Sequence, residues 1–221
     1  MRPRIPGHAN ENYMSKSLPA GGLAALEQIE LSPVNRQLLE SARQTCAGPA
    51  VWRSRKIAEA HDLLALSEVA GRCKIELLDL RESLRALVVL RVPTPCLPES
   101  DGNLHIAPHT RLGLTYAEEA LRLPMPGYAF VEIIHPLNVW HANVPSEGPR
   151  RLCLGAQLPA GIQVKDIILM TYGAVSMQTV MIDERDAAGV LNPDAARWWQ
   201  QNTHRIPLSR EAFIDNPELN G

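Results

Sequence analysis

The chain has 221 residues and a formal net charge of -2, from 22 lysines and arginines against 24 aspartates and glutamates. A chain of this length is expected to form one domain, with room for a short extension, so two large catalytic domains are excluded. A charge so close to zero lacks the positive field with which proteins collect on nucleic acid, so we expect no nucleic-acid partner. Hydrophobic residues make up 45% of the chain, which is typical of a globular domain with its own core.

The cysteines and the N-terminus favour a soluble, cytoplasmic protein. The four cysteines are scattered, with no CxxC pair and no short Cys/His cluster, so neither a disulfide framework nor a metal site is predicted. The first residues lack the apolar core of a signal peptide. The longest apolar stretch, 167–182, contains polar residues and is shorter than the roughly 20 residues that span a membrane, so we expect no membrane association.

The N-terminal part of the chain is predicted to be an extension with one helix. Residues 1–31 are rich in Gly, Pro, Asn and Ser without a sustained period, which predicts a loosely ordered segment. Ser32 is a capping residue followed by proline, so it begins a helix, and the helix ends before Gly48. We therefore assign residues 1–52 to the extension and residues 53–221 to the main domain.

A second helix is predicted from about residue 52 to Gly71, and it begins with a basic cluster. The cluster consists of Arg53, Arg55 and Lys56. Positive charge is unfavourable at the N-terminal end of a helix dipole. The cluster is therefore either a solvated turn or a docking site for an acidic partner.

After Gly71 the pattern changes to short runs rich in branched residues, separated by stretches rich in Pro, Gly, Asp and Ser. These runs predict four strands that form an antiparallel meander. An irregular segment, 135–162, follows, and long segments of this kind are usually functional or disordered. Two further helices are predicted, over 164–181 and from Asn192 through the tryptophans at 198–199, so the fold class is α+β. The four predicted strands are 75–78, 85–92, 111–116 and 128–134.

Cys153 is the candidate nucleophile of the irregular segment. It follows Arg150 and Arg151, whose guanidinium groups favour a thiolate, and Gly155 leaves its approach open. A single cysteine between two leucines is also typical of a small buried hydrophobic residue. Sequence alone leaves both interpretations open.

Two polar residues just upstream extend the candidate site. His141 could act as a base for the thiol, as in cysteine hydrolases, or could tie the loop together through backbone hydrogen bonds. The carboxamide of Asn143 could donate a hydrogen bond to an oxyanion formed at the thiol. Residue types do not decide between these roles.

The order of these features resembles that of the ubiquitin-conjugating enzymes, which have a four-stranded meander, a His-Pro-Asn loop, a catalytic cysteine and two closing helices. Here residues 141–144 read His-Ala-Asn-Val, residues 152–154 read Leu-Cys-Leu, and residues 191–196 resemble the segment that opens a late helix. The resemblance extends from about residue 53 to 202. Ala142 replaces the family's proline, and the stretch from the loop to the cysteine is slightly longer than in typical members.

The resemblance implies a ubiquitin-conjugating fold and a group-transfer activity without a metal, nucleotide or other cofactor. Cys153 would accept a ubiquitin-like modifier from an activating enzyme as a thioester and pass it to an amine of a protein substrate. Asn143 would steady the loop or the oxyanion, and His141 would structure the loop.

Within the family, the chain resembles the divergent conjugating enzymes of bacterial ubiquitin-like modification operons, several of which serve antiphage defence. The helix that begins with the basic cluster is the one that docks on the activating enzyme in this family. Two alternatives stay open. The loss of the loop proline favours an inactive variant that acts as a binding scaffold, and the pairing of Cys153 with His141 would suit a cysteine hydrolase.

Overall fold

The computed structural model describes residues 26–97, 103–186 and 189–214. Most of the segment predicted to be loosely ordered, 1–31, lies outside the described residues. The described part contains four α-helices and six strands. The helices are α1 (Pro33–Gln44), α2 (Ala50–Val69), α3 (Val164–Val175) and α4 (Pro193–Gln201). The strands are β1 (Cys73–Asp79), β2 (Leu84–Leu90), β3 (Thr94–Cys96), β4 (His105–Ala107), β5 (Thr110–Tyr116) and β6 (Val131–His135).

The main sheet is four-stranded, entirely antiparallel and ordered β1-β2-β5-β6. Each of the four predicted runs overlaps one of these strands, and the α+β class with a four-stranded antiparallel sheet is confirmed. The central pair, β2 and β5, is in continuous register from Leu84 opposite Tyr116 to Leu90 opposite Thr110. Side chains alternate between the buried and the exposed face along both strands, as a half-buried sheet requires.

The hairpin formed by β3 and β4 was not predicted. Each strand has three residues, and Pro95 in the middle of β3 cannot donate a hydrogen bond to a neighbouring strand. The hairpin is held from outside, because the N–H of Leu97 donates to the carbonyl of Asn138 at 2.7 Å and Cys96 pairs with Val139. It therefore supports the beginning of the irregular segment that carries the candidate site.

The starts of α1 and α4 agree with their predicted capping residues, but the end of α3 differs from its prediction. The Ser32 hydroxyl accepts from the N–H of Asn35 at 3.4 Å, and the Asn192 side chain accepts from the N–H of Ala195 at 3.0 Å. The predicted end of α3 at residue 181 is wrong, since the helix ends at Val175. Two residues later Met177 has φ 62°, a left-handed conformation that turns the chain out of the helix.

A single core joins the helices to the sheet. Leu63 of α2, Val88 of β2 and Ile167 of α3 are fully buried in one cluster, and Leu39 of α1 belongs to the same cluster. The helix of the predicted extension is thus packed against the main domain, and residue 52 lies in the first turn of α2. No described helix combines the length and the apolar character needed to cross a membrane.

A buried carboxylate fixes the start of α3. Glu59 of α2 accepts from the N–H of Val164, the first residue of α3, at 2.7 Å. This N–H has no partner within its own helix, so the carboxylate acts as a cap supplied by another helix. Burial raises the pKa of Glu59 above its usual value. The contact sets where α3 lies and therefore where its last turn meets the candidate site.

Candidate functional site

The candidate cysteine lies at the end of a segment that runs antiparallel along β6. The N–H of Leu152 donates to the carbonyl of Val131 at 2.9 Å, and the N–H of Ile133 donates to the carbonyl of Arg150 at 2.8 Å. The side chain of Leu152 is fully buried in the hydrophobic core. Part of the predicted irregular segment therefore extends the sheet, and this part fixes the backbone of Cys153.

Cys153 is held between two loops. Its N–H donates to the carbonyl of Asn143 at 2.8 Å, and its Sγ donates to the carbonyl of Gly155 at 3.3 Å. The residue is only 5% exposed. The structure thus brings the predicted loop at 141–144 and the predicted nucleophile into direct backbone contact, although nine residues lie between Asn143 and Cys153.

The side chain of Asn143 is directed at the loop that follows α3. Its Nδ2 donates to the carbonyls of Met181 at 3.1 Å and Gly189 at 2.6 Å, and its Oδ1 accepts from the N–H of Met181 at 3.2 Å. Both amide protons are therefore taken by backbone carbonyls. Of the two roles considered for Asn143, this arrangement favours steadying a loop and leaves no amide proton for an oxyanion.

The ring of His141 is buried and both of its nitrogens are engaged. Nε2 donates to the carbonyl of Ala174 at 2.9 Å, and Nδ1 accepts from the N–H of Asn143 at 3.0 Å. Because a carbonyl only accepts and a backbone N–H only donates, these partners require the neutral tautomer with the proton on Nε2. Burial lowers the pKa of His141 to about 4. Neither nitrogen can take a proton from Cys153 in this arrangement.

Ala142 connects the loop to the segment before α4. Its carbonyl accepts from the N–H of Leu191 at 2.8 Å and from the N–H of Asn192 at 2.9 Å. The residue is completely buried. A proline at this position would offer the same carbonyl, so this pair of hydrogen bonds does not distinguish alanine from proline.

The basic cluster is not a continuous surface patch. Arg53 is exposed, whereas Arg55 forms an ion pair with Glu59 at 2.6 Å and donates to the carbonyl of Gly161 at 3.2 Å. The prediction that Lys56 belongs to an exposed docking surface is wrong, because its side chain is fully buried and its ammonium group donates to backbone carbonyls. These are the carbonyls of Ala47, Leu80, Arg81 and Glu82.

One residue near the thiol, Gly127, was not predicted from the sequence. Gly127 lies directly against Gly155, and the N–H of Leu154 donates to its carbonyl at 3.4 Å. A proline precedes Gly127, and a Pro-Gly pair before a strand predicts only a turn. A glycine that is required because another part of the backbone contacts it cannot be recognised from its neighbours in the sequence.

Comparison with protein-family models, with curated proteins and with solved structures gives no match. Among the described residues, no group of three or more His, Cys, Asp and Glu side chains is placed to hold a metal ion.

Replacement of Asn143 by alanine is expected to lower the free energy of unfolding by about 2 kcal/mol, because three hydrogen bonds to the loop after α3 are lost. Chemical denaturation followed by circular dichroism measures this change. Asn138→Ala, at an exposed residue of the same segment, is the matched control and should change little. Equal stability of the two variants would contradict the loop-steadying role.

Proposed function

We propose that the protein is a conjugating enzyme of the ubiquitin-conjugating type, with Cys153 as the residue that carries the modifier. The main observation in support is that three separate segments of the chain meet at one place through backbone hydrogen bonds. The carbonyl of Asn143 accepts from Cys153, and the carbonyl of Ala142 accepts from Asn192 at the start of α4. These segments are the ones on which the resemblance to the family rests.

The order of elements supports the same proposal. A helix precedes four antiparallel strands that follow one another across the sheet, then comes the segment with the cysteine, and two helices follow. The inserted hairpin of β3 and β4 leaves this order intact, because β2 and β5 still pair directly. A ubiquitin-conjugating fold would have this arrangement.

The proposed reaction is a transfer between two thiols followed by a transfer to nitrogen. Cys153 loses its proton to solvent, its thiolate attacks the thioester carbonyl of the modifier's C-terminal glycine, and a new thioester forms as the old C–S bond breaks. The cysteine of the activating enzyme leaves as a thiolate and takes up a proton from solvent. A substrate amine then attacks the new thioester, an amide forms, and the Cys153 thiol is regenerated. ATP is consumed earlier, by the activating enzyme, so this protein requires no cofactor for either step.

Arg53 and Arg55 stay in the proposal as docking residues for the activating enzyme, and Lys56 is removed from it. We place the reaction in the cytoplasm of a bacterium, in a modification system of the antiphage type. This placement is supported by the resemblance alone. Its partners are a ubiquitin-like modifier, an activating enzyme and a protein substrate.

The two alternatives differ in their support. The cysteine hydrolase needs His141 as a base, and both ring nitrogens of His141 already have backbone partners. The inactive scaffold is favoured by one observation, the 5% exposure of Cys153, since a thiol that exchanges thioesters must be reached by the modifier's terminus. We therefore keep the scaffold as the second candidate.

Thioester formation tests the proposal. Incubated with ATP, its activating enzyme and the modifier, the wild-type protein should form an adduct that dithiothreitol removes, because thiols exchange with thioesters and not with amides. Cys153→Ser should give a thiol-resistant ester or no adduct, measured by non-reducing electrophoresis and intact mass.

Cys46→Ser is the matched control, since Cys46 is a half-buried cysteine between α1 and α2, and it should form the adduct like the wild type. An adduct on Cys153→Ala as strong as on the wild type would contradict the assignment of the site. Tight binding of the modifier without any adduct would favour the scaffold.

A further inference from the structure

The backbones of Gly127 and Gly155 are in contact next to the candidate cysteine. A Cβ atom added to Gly127 would lie 2.1 Å from the carbonyl oxygen of Gly155 and 2.7 Å from its nitrogen. Both atoms belong to the main chain, so no side-chain rotation would relieve the overlap. Any residue other than glycine at position 127 therefore requires that the main chain at 127 and the main chain at 155 move apart.

The atom that this Cβ would strike also accepts a hydrogen bond from the thiol of Cys153. The carbonyl oxygen of Gly155 accepts from Sγ of Cys153 at 3.3 Å. The intervening residue is fixed as well, because the N–H of Leu154 donates to the carbonyl of Gly127 at 3.4 Å. The position of Gly155 against Gly127 thus determines where the acceptor of the thiol proton lies.

The backbone conformation of Gly155 is one that favours glycine. Its φ is +129°, which side chains of L-residues rarely allow, and its Cβ position faces open space. Glycine is therefore required there by backbone conformation, whereas glycine at 127 is required by contact. The two glycines are thus required for different reasons, and both bear on the position of the Gly155 carbonyl at the Cys153 thiol.

We propose that Gly127 is a positioning residue for Cys153: by holding the Gly155 carbonyl at the thiol, it keeps the S–H group turned into the protein in the resting state. The proposal rests on the proposed function only in treating Cys153 as the reacting group. Charging of Cys153 then requires that the thiol leave the Gly155 carbonyl. A larger residue at position 127 shifts the balance toward the released thiol.

The test compares Gly127→Ala with the wild type by two readouts that need no partner protein. The infrared S–H stretching band of Cys153, isolated by subtracting the spectrum of the Cys153→Ala form of each protein, should move to higher frequency when the hydrogen bond to Gly155 is lost. Alkylation of Cys153 by iodoacetamide, followed by mass spectrometry at fixed pH, should be roughly three- to tenfold faster, the size expected for the loss of one modest hydrogen bond.

Gly113→Ala is the control, because a Cβ there would meet the side chain of Ile134 at 3.3 Å, away from residues 153–155. It should leave the band and the alkylation rate at their wild-type values. An unchanged band and rate in folded Gly127→Ala would overturn the proposal. If that variant does not fold, the wild-type band decides, since a frequency equal to that of a thiol in an apolar solvent would exclude the hydrogen bond.

The outcomes separate this inference from the proposed function. A shifted band and faster alkylation without any thioester in the charging experiment would support the role of Gly127 and contradict the conjugating activity. Thioester formation on a wild-type protein whose thiol band shows no hydrogen bond would support the activity and overturn the role of Gly127.

Discussion

Lys56→Met is expected to lower the free energy of unfolding by about 3–5 kcal/mol, the largest effect that we expect from one substitution outside the site. The ammonium group of Lys56 is fully buried and donates to the carbonyl of Ala47 and to carbonyls in the turn at 80–82. It also lies 5.5 Å from the centre of the Trp52 ring. Methionine has a similar length but donates no hydrogen bond, so these carbonyls would lose a donor, and the carbonyl of Leu80 would lose it in the buried interior.

Chemical denaturation followed by circular dichroism measures the effect. Arg53→Met is the matched control, since it removes a positive charge from an exposed residue of the same helix, and it should change stability by less than about 0.5 kcal/mol. A Lys56→Met protein that unfolds at the denaturant concentration of the wild type would show that the carbonyl contacts add nothing to stability. The same pair also separates docking from folding, because a charging defect in Arg53→Met would come without a loss of stability.

The fold was predictable where the signal is local. The strands contain runs of branched residues long enough to show their character, and the starts of α1 and α4 follow from a capping side chain with a proline after it. The hairpin was not predictable, because strands of three residues show no period and β3 is stabilised by the distant Val139. The end of α3 was missed because its apolar pattern continues beyond the left-handed Met177, where Val180 packs against other hydrophobic clusters.

The candidate site was predictable as a set of residues but not as a set of contacts. Cys153, His141 and Asn143 were selected by residue type and order, and the backbone of Asn143 joins all three, because its carbonyl accepts from the N–H of Cys153 and its N–H donates to the ring of His141. The partners of the Asn143 amide lie 38 and 46 residues further along the chain, a separation that no local pattern encodes. The burial of Lys56 was equally hidden, because a lysine is nearly always a surface residue unless tertiary contacts supply acceptors.

The wild-type protein is expected to lose more stability between pH 6.5 and pH 4 than His141→Gln does, by up to about 3 kcal/mol. Burial lowers the pKa of His141 from 6.5 to about 4 in the folded protein. Between these values the unfolded chain binds a proton at this residue and the folded chain does not, so acid favours unfolding. The contribution is fully present above pH 6.5 and is lost progressively as the pH falls toward 4.

Denaturant unfolding at a series of pH values measures this dependence, and the quantity compared is the slope with pH rather than the stability itself, since His141→Gln also changes the hydrogen bonds to Asn143 and Ala174. The buried carboxyl of Glu59 changes stability with pH in the opposite direction, because its raised pKa lets the folded protein bind a proton at a higher pH than the unfolded chain does. This contribution is present in both proteins and cancels in the comparison. Equal slopes for the wild type and His141→Gln would mean that His141 takes up its proton in the folded state as readily as in the unfolded chain, which would place the ring in water and restore it as a candidate base for Cys153.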